Sequence, residues 1–304
     1  MVAAFGGGDR GSAYHRCVSV ADSRSAARLT DHSRLQFEHL GLDDGRLVDY
    51  RWAWDHQRAI HARVAAEEIP GRVLLLEHAA VYTAGRQTKP EERPFDGTPV
   101  IDVDRGGKIT WHGPGQLVGY PIIRLPSRVG VVDHVRRMEA AIIALLAELG
   151  IDAGRVAGRT GVWLPAAGPA PVTAAADSLW DADRRARTAP GSVSPSAQEE
   201  SAPPVPASLA NVLAVPARPE RKICAIGIRV AKRTTMHGFA ININGSTAAF
   251  ENIIPCGISD AGVTSIAAEL GSAPSLSKVA QMLEPHLRRC LDYTRPTADV
   301  LADG

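Results

Sequence analysis

Apolar positions in this chain fall into short runs and helical stripes from residue 35 onward. Leu47, Tyr50, Trp54, Ile60 and Val64 recur near one face of a helix predicted over 45–66, capped by Asp43 or Asp44. Pro70-Gly71 ends it, and Val73-Leu74-Leu75-Leu76 then forms a buried strand within 72–78. Further strands are predicted over 100–103, 116–125 and 161–164. Between the last two, Val135, Met138, Ile142, Leu145 and Leu149 repeat at helical steps, with Gly150 as the stop. Ile226, Ile228 and Val230 alternate with Gly227 and Arg229, and 236–244 reads the same way, so the two strands form a hairpin through Ala231-Lys232-Arg233. Ser259 or Asp260 caps a helix that runs to Leu270 and stops at Gly271. Leu276, Val279, Leu283, Leu287 and Leu291 mark a last helix, which Pro285 is expected to kink or divide. Strands and helices interleave without a regular βαβ rhythm.

Composition breaks this pattern in two places. Over 165–219 ten prolines sit among Ala, Ser, Gln and Glu, too little apolar surface to offset chain entropy. That stretch is expected to be a disordered insertion in a catalytic domain spanning 35–295. Residues 1–34 are expected to be a disordered extension and 296–304 a tail. A hydrophobic fraction of 45% and a charged fraction of 22% suit a soluble globular protein. The net charge of +1 excludes a strong overall field for nucleic acid or an anionic membrane. With no bilayer-length apolar run and no secretory h-region in the extension, the expected location is the cytoplasm. There Cys17, Cys224, Cys256 and Cys290 would be reduced thiols.

Cys256, between Pro255 and Gly257, is the candidate nucleophile: the flanking residues make a turn rather than a core strand. A helix beginning near Ser259 would favour its thiolate; a buried structural cysteine is the alternative. Lys222, at a strand start, is either a solvated surface charge or, if close to Cys256, a cation or base for the thiol. In Arg105-Gly106-Gly107-Lys108-Ile109-Thr110-Trp111-His112-Gly113-Pro114-Gly115-Gln116 the glycine pair allows close backbone approach to a ligand. Arg105 and His112 suit a polar head group there, or the stretch is a structural hairpin. The pattern is neither a dinucleotide fingerprint nor a Walker loop. Gly227 and Gly238 are either ordinary bulges or openings for an extended alkyl chain walled by Ile226 and Phe239. His78, His112 and His237 lack carboxylates or second histidines at ligand spacing, so no metal site is expected.

Together, Arg105-Gly106-Gly107 with Thr110, His112-Gly113-Pro114-Gly115-Gln116, Lys222 with Ala225-Ile226-Gly227, Thr235-Met236-His237-Gly238-Phe239 and Pro255-Cys256-Gly257 resemble the octanoyltransferase family. These enzymes are also called lipoyl(octanoyl) transferases or lipoate–protein ligase B. The resemblance runs from about residue 35 to 291, apart from the proline-rich insertion and the N-terminal extension. It implies an α/β, biotin/lipoate protein ligase-like fold with a large mixed sheet, a small sheet and covering helices. It also implies that Cys256 carries the acyl thioester and that Lys222 lowers its pKa and serves as general acid/base. Arg105, Gly106, Gly107, Lys108, Ile109, Thr110, Trp111, His112, Ala225, Ile226, Gly227, His237, Gly238 and Phe239 would surround the octanoyl group. The implied donor is octanoyl-acyl carrier protein. The implied acceptors are lipoyl domains of 2-oxoacid dehydrogenases and the glycine cleavage H protein. No cofactor is required, and a monomer is expected. Two rivals are an ATP-dependent lipoate or biotin ligase on the same fold and a non-catalytic acyl-carrier or lipoyl-domain binding protein.

Overall fold

Alternating burial in two cores organises the main sheet. Strand β1 (Gln36–Leu40) pairs in parallel with β2 (Arg72–Leu76). Along β2, Leu74 and Leu76 enter one hydrophobic core while Val73 and Leu75 enter another. Burial on both faces explains why this run shows no polar alternation. The computed structural model describes residues 35–94, 97–166, 218–253 and 261–302. The chain divides into one unit of residues 1–164 with 222–304 and a second over 165–221. Most of the expected insertion, 167–217, lies outside the described residues, as do 1–34. In the second unit Arg221 donates to the carbonyls of Pro165 and Pro219, at 3.4 and 3.3 Å.

The first core is covered by α1 (Tyr50–Ala65), whose Ala53, Ile60 and Val64 meet Leu74 and Leu76. The helix begins at Tyr50 rather than near 45. Asp49 is its cap, accepting from the Trp52 amide at 2.9 Å, while Gly41 and Gly45 adopt positive φ in the preceding turn. Strands β3 (Val81–Ala84), β4 (Val100–Asp102) and β5 (Thr110–His112) form a separate sheet in the order β4-β3-β5. Returning to the main sheet, β6 (Gln116–Ile122) lies beside β2. Next come α2 (Val131–Glu148), β7 (Gly154–Val156), β8 (Arg159–Leu164), β9 (Arg221–Ala231) and β10 (Thr234–Asn242). The strand order is β1-β2-β6-β10-β9-β8-β7, with β11 (Gly262–Val263) paired to β9.

β9 and β10 form the expected hairpin. Lys232 and Arg233 are its two central residues, both at positive φ, as a twist-matched two-residue turn requires. The helix expected from Ser259 or Asp260 is shorter: β11 intervenes, and α3 (Ile266–Leu270) begins after the cap Ser265. Helix α4 (Leu276–Cys290) stays undivided at Pro285. Pro285 and Gln281 are both exposed, so water can serve the carbonyl that proline leaves without a donor. The expected tail contains α5 (Thr297–Ala302), whose Val300 is 2% exposed in the second core with Met138, Ile142, Leu283 and Leu287. Among the described residues no helix is long and apolar enough to cross a membrane.

Candidate active site

The loop from β4 to β5 is fastened before any ligand is considered. Arg105 is 7% exposed, and its guanidinium donates to the carbonyls of Gly106 (3.0 Å), Lys108 (2.8 Å) and Thr83 (2.7 Å), and to the Thr83 hydroxyl (3.0 Å). It therefore shapes the glycine loop from within. The Gly106 amide is engaged with the Ile228 carbonyl of β9 at 3.0 Å, so it anchors the loop instead of presenting a free donor. Gly107 has φ +81, a left-handed conformation that favours glycine. The turn after His112 is equally constrained: a Cβ on Gly115 (φ +85) would fall 2.1 Å from the Gly245 nitrogen.

Between this loop and the β9–β10 hairpin lies a pocket of about 500 Å³, counted out to its open mouth. Arg105, Gly106, Gly107, Lys108, Thr110 and His112 line it from the loop and β5; Ala225, Ile226 and Gly227 from β9; His237, Gly238 and Phe239 from β10. Gly227 and Gly238 are direct cross-strand partners. Each also admits protein: a Cβ at 238 would lie 2.1 Å from the Gly119 carbonyl oxygen, and one at 227 would lie 3.1 Å from Arg105 Cδ. Ile109 and Trp111 belong elsewhere. They enter a cluster with Tyr82, Phe250 and Ile253, where Trp111 meets Phe250 edge-on at 5.7 Å. Strand alternation sends Thr110 and His112 to the pocket and Trp111 away from it.

Three lining residues escaped the sequence reading: Tyr50, Tyr120 and Ala240. Tyr120 and Ala240 sit in apolar strand runs, and Tyr50 sits on a helix stripe, so nothing marked them apart from core positions. The two tyrosines belong to a buried polar cluster. His78 donates from Nδ1 to the Val48 carbonyl and accepts the Tyr120 hydroxyl at Nε2, both at 2.8 Å. His112 stacks on Tyr50 with ring centroids 5.9 Å apart and donates from Nδ1 to Gln116 Oε1 at 2.8 Å. Burial drives His78 down to about 4 and His112 to about 3, the latter helped by its neighbour His78; burial pushes Tyr50 up to about 12. All three are neutral near pH 7. The network continues from the Gln116 amide to Asn242 Oδ1 (2.9 Å) and from the Asn242 amide to the Thr264 carbonyl (2.9 Å).

His237 differs from both other histidines. It is a non-glycine residue at φ +59, a left-handed conformation that costs on the order of 1 kcal/mol. Its amide donates to Gln57 Oε1 at 3.0 Å, and its Nε2 donates to Asp104 Oδ1 at 2.8 Å. Arg229 meets the other Asp104 oxygen at 2.6 Å. The hydrogen bond from His237 holds the Asp104 carboxyl below its ordinary range, while burial lowers His237 against the pull of that carboxylate.

Lys222 lies on β9 three residues before Ala225, is 8% exposed, and holds its Nζ 4.5 Å over the Trp163 ring. Among the described residues it is not part of the pocket wall. Its carbonyl accepts the Thr264 amide at 3.0 Å, tying the chain just after β11 to this position. Cys256 lies in 254–260, outside the described residues. The helix expected to support its thiolate begins only at Ile266. Cys224 and Cys290 are buried, with burial pushing both thiols up, as expected for structural cysteines. The described residues contain no group of three His, Cys, Asp or Glu side chains able to hold a metal ion.

A mixed sheet with helices on both faces, a small second sheet and a glycine-walled pocket between them make up a lipoate protein ligase-like fold. An archaeal bipartite lipoate protein ligase from Thermoplasma acidophilum shares this fold, with a TM-score of 0.51 and 12% identity over 85% of this chain and 84% of that one. Residues 49–288 match the lipoyl protein ligase A/B catalytic domain, and the chain belongs to that family. Among its relatives, the octanoyltransferase of Cutibacterium acnes is 47% identical over 284 residues, covering 90% of this chain and 87% of the relative. That of Streptomyces coelicolor is 50% identical over 260 residues, covering 86% and 94% respectively.

Proposed function

We propose that the protein is an octanoyltransferase of the cytoplasm. It moves octanoyl from octanoyl-acyl carrier protein to a lysine of lipoyl-carrier domains, those of 2-oxoacid dehydrogenases and the glycine cleavage H protein. The observation that carries this is near full-length identity of 47% and 50% to two proteins named octanoyltransferase. The pocket supports it: backbone at Gly227 and Gly238 and the small side chains of Ala225 and Ala240 form walls suited to an alkyl chain, and the histidines beside them are neutral rather than cationic.

In this reading the Cys256 thiolate attacks the carrier thioester, releasing the carrier's thiol and forming an acyl-enzyme. The acceptor amine then attacks that thioester and leaves as an octanoyl amide. Lys222 is the cation beside the sulfur; its placement over Trp163 suits an ammonium, because a ring face attracts positive charge. Its tether to Thr264, eight residues after Cys256, favours the pairing.

Incubation with octanoyl carrier protein and no ATP tests the reading by intact mass. An octanoyl adduct is expected that hydroxylamine removes and Cys256→Ser lacks, and a lipoyl domain should then take up the acyl group. Transfer that appears only with ATP would establish the ligase reading instead. An enzyme that stays unmodified would favour a binding protein. For Lys222→Ala, the pH profile of thiol alkylation should move up by about one unit or more, as loss of a neighbouring cation demands. Superimposed profiles would remove Lys222 from that role.

A further inference from the structure

We propose that strand β8 is the seat of Lys222, and that Trp163 is the positioning residue that holds its ammonium in place for the thiol. The inference rests on the thioester reading above and names the side chain through which Lys222 is oriented.

Contacts along β8 carry this assignment. Lys222 Nζ lies 4.5 Å from the centroid of the Trp163 ring, and the two residues are 8% and 2% exposed. Two residues earlier, Gly161 lets β8 and β9 close on each other. A Cβ there would lie 2.4 Å from the Cys224 carbonyl oxygen and 3.7 Å from Lys222 Cε, so the lysine stem runs directly past this backbone. Gly161 is itself held at φ +110, and its amide donates to Glu139 Oε1 at 3.1 Å. Glu139 is buried on α2 and also accepts from Arg136 at 2.6 Å and Arg155 at 3.1 Å. The strand under the lysine is thus fixed from behind.

A lysine carries its charge on a flexible four-carbon stem, and holding that stem in one rotamer costs entropy. A ring face favours one placement of the ammonium while leaving its charge uncompensated. A carboxylate in the same place would form an ion pair and weaken the field at a nearby sulfur. The Trp163 indole N–H makes no hydrogen bond among the described residues, so the ring face is what this side chain offers Lys222. Other charged groups close by are Arg159, whose guanidinium lies 5.4 Å from the same ring centroid, and Glu139 with its two arginines. Lys222 lowers and Glu139 raises the Cys224 thiol, but burial outweighs both and pushes it up. Cys224 is therefore not the sulfur that this cation activates.

The pH dependence of Cys256 alkylation, read on its own peptide in the full-length protein, tests the assignment. In Trp163→Leu the midpoint should rise by about half a unit, in the direction expected for Lys222→Ala. Trp163→Phe keeps a ring face and should stay within about 0.2 unit of wild type. Both variants shrink the side chain, so a purely structural role would move them alike. Trp163→Met fills the space without a ring and is read as Trp163→Leu is, should the latter fail to fold. Added to Lys222→Ala, Trp163→Leu should shift the midpoint no further, because a residue that acts through another has then nothing to act on. A Trp163→Leu profile superimposed on wild type, equal shifts in the Leu and Phe variants, or a further shift in the double variant would each overturn the proposal. Lys222→Ala superimposed on wild type would instead overturn the pairing of Lys222 with the sulfur, on which the proposal rests.

Discussion

A methyl group at position 238 would sit 2.1 Å from the carbonyl oxygen of Gly119, a backbone atom that cannot rotate away. Gly238→Ala should therefore destabilise the protein by about 1–3 kcal/mol through forced separation of β6 and β10. Gly154 gives the contrast: a Cβ there meets nothing within 4 Å, and Gly154→Ala should be neutral or stabilising by up to about 1 kcal/mol. Urea unfolding of the two variants beside wild type checks both, and equal midpoints would refute the clash. At this scale the sequence displayed chemistry better than partnership. Lys222, His112, His237 and the glycines stood out by type and spacing. Arg105 stood out as suited to a polar head group, but its bonds to Thr83 and the loop carbonyls, which hold the loop whose pocket it lines, left no trace in the sequence. Asp104 and Gln57 carried no signal of their own, because their importance lies in a nitrogen and an amide far away along the chain.

Helix α1 delivers Tyr50 to the pocket from its first residue and Gln57 to the His237 amide from its middle, so its N-terminal cap has consequences beyond the helix. Asp49→Ala removes the acceptor for the Trp52 amide and is expected to cost about 1 kcal/mol of stability. If fraying at Tyr50 loosens its stack on His112, acyl-enzyme formation should slow beyond what that stability loss explains. Thermal unfolding and acylation rates measured together on the same sample check this, and an unchanged melting midpoint would remove Asp49 as the cap. Long, strongly periodic elements were legible: α2, the apolar run of β2, and the β9–β10 hairpin. The three-residue strands β5 and β7 and the four-residue β3 were not, because elements that short have no period to read and are held by pairing alone. The position of α3 was misread for a related reason. Ser259, Asp260 and Ser265 are all competent caps, and pairing of β11 with β9 selects the last.

Across the molecule, the buried histidines couple stability to pH with a definite sign. Val48 and Tyr120 occupy both nitrogens of His78, and burial lowers it from 6.5 to about 4 despite the raising influence of Asp49; His112 falls to about 3 although Gln116 opposes the shift. In the unfolded chain both titrate near their ordinary value. Between pH 6.5 and 4 the unfolded state therefore binds more protons than the folded state, and stability falls as pH drops through that window. On acidification from pH 7 to 5 each histidine should remove about 2 kcal/mol, an effect that flattens only below the folded-state values. His78→Phe sacrifices two hydrogen bonds and should be less stable at pH 7. Its stability should nonetheless fall by about 2 kcal/mol less than wild type over the same interval, because one of the two proton sinks is gone. Urea unfolding at the two pH values, with wild type and variant side by side, measures that difference directly. Equal losses in both proteins would mean that His78 is already protonated in the folded state, which its acceptor role toward the Tyr120 hydroxyl forbids.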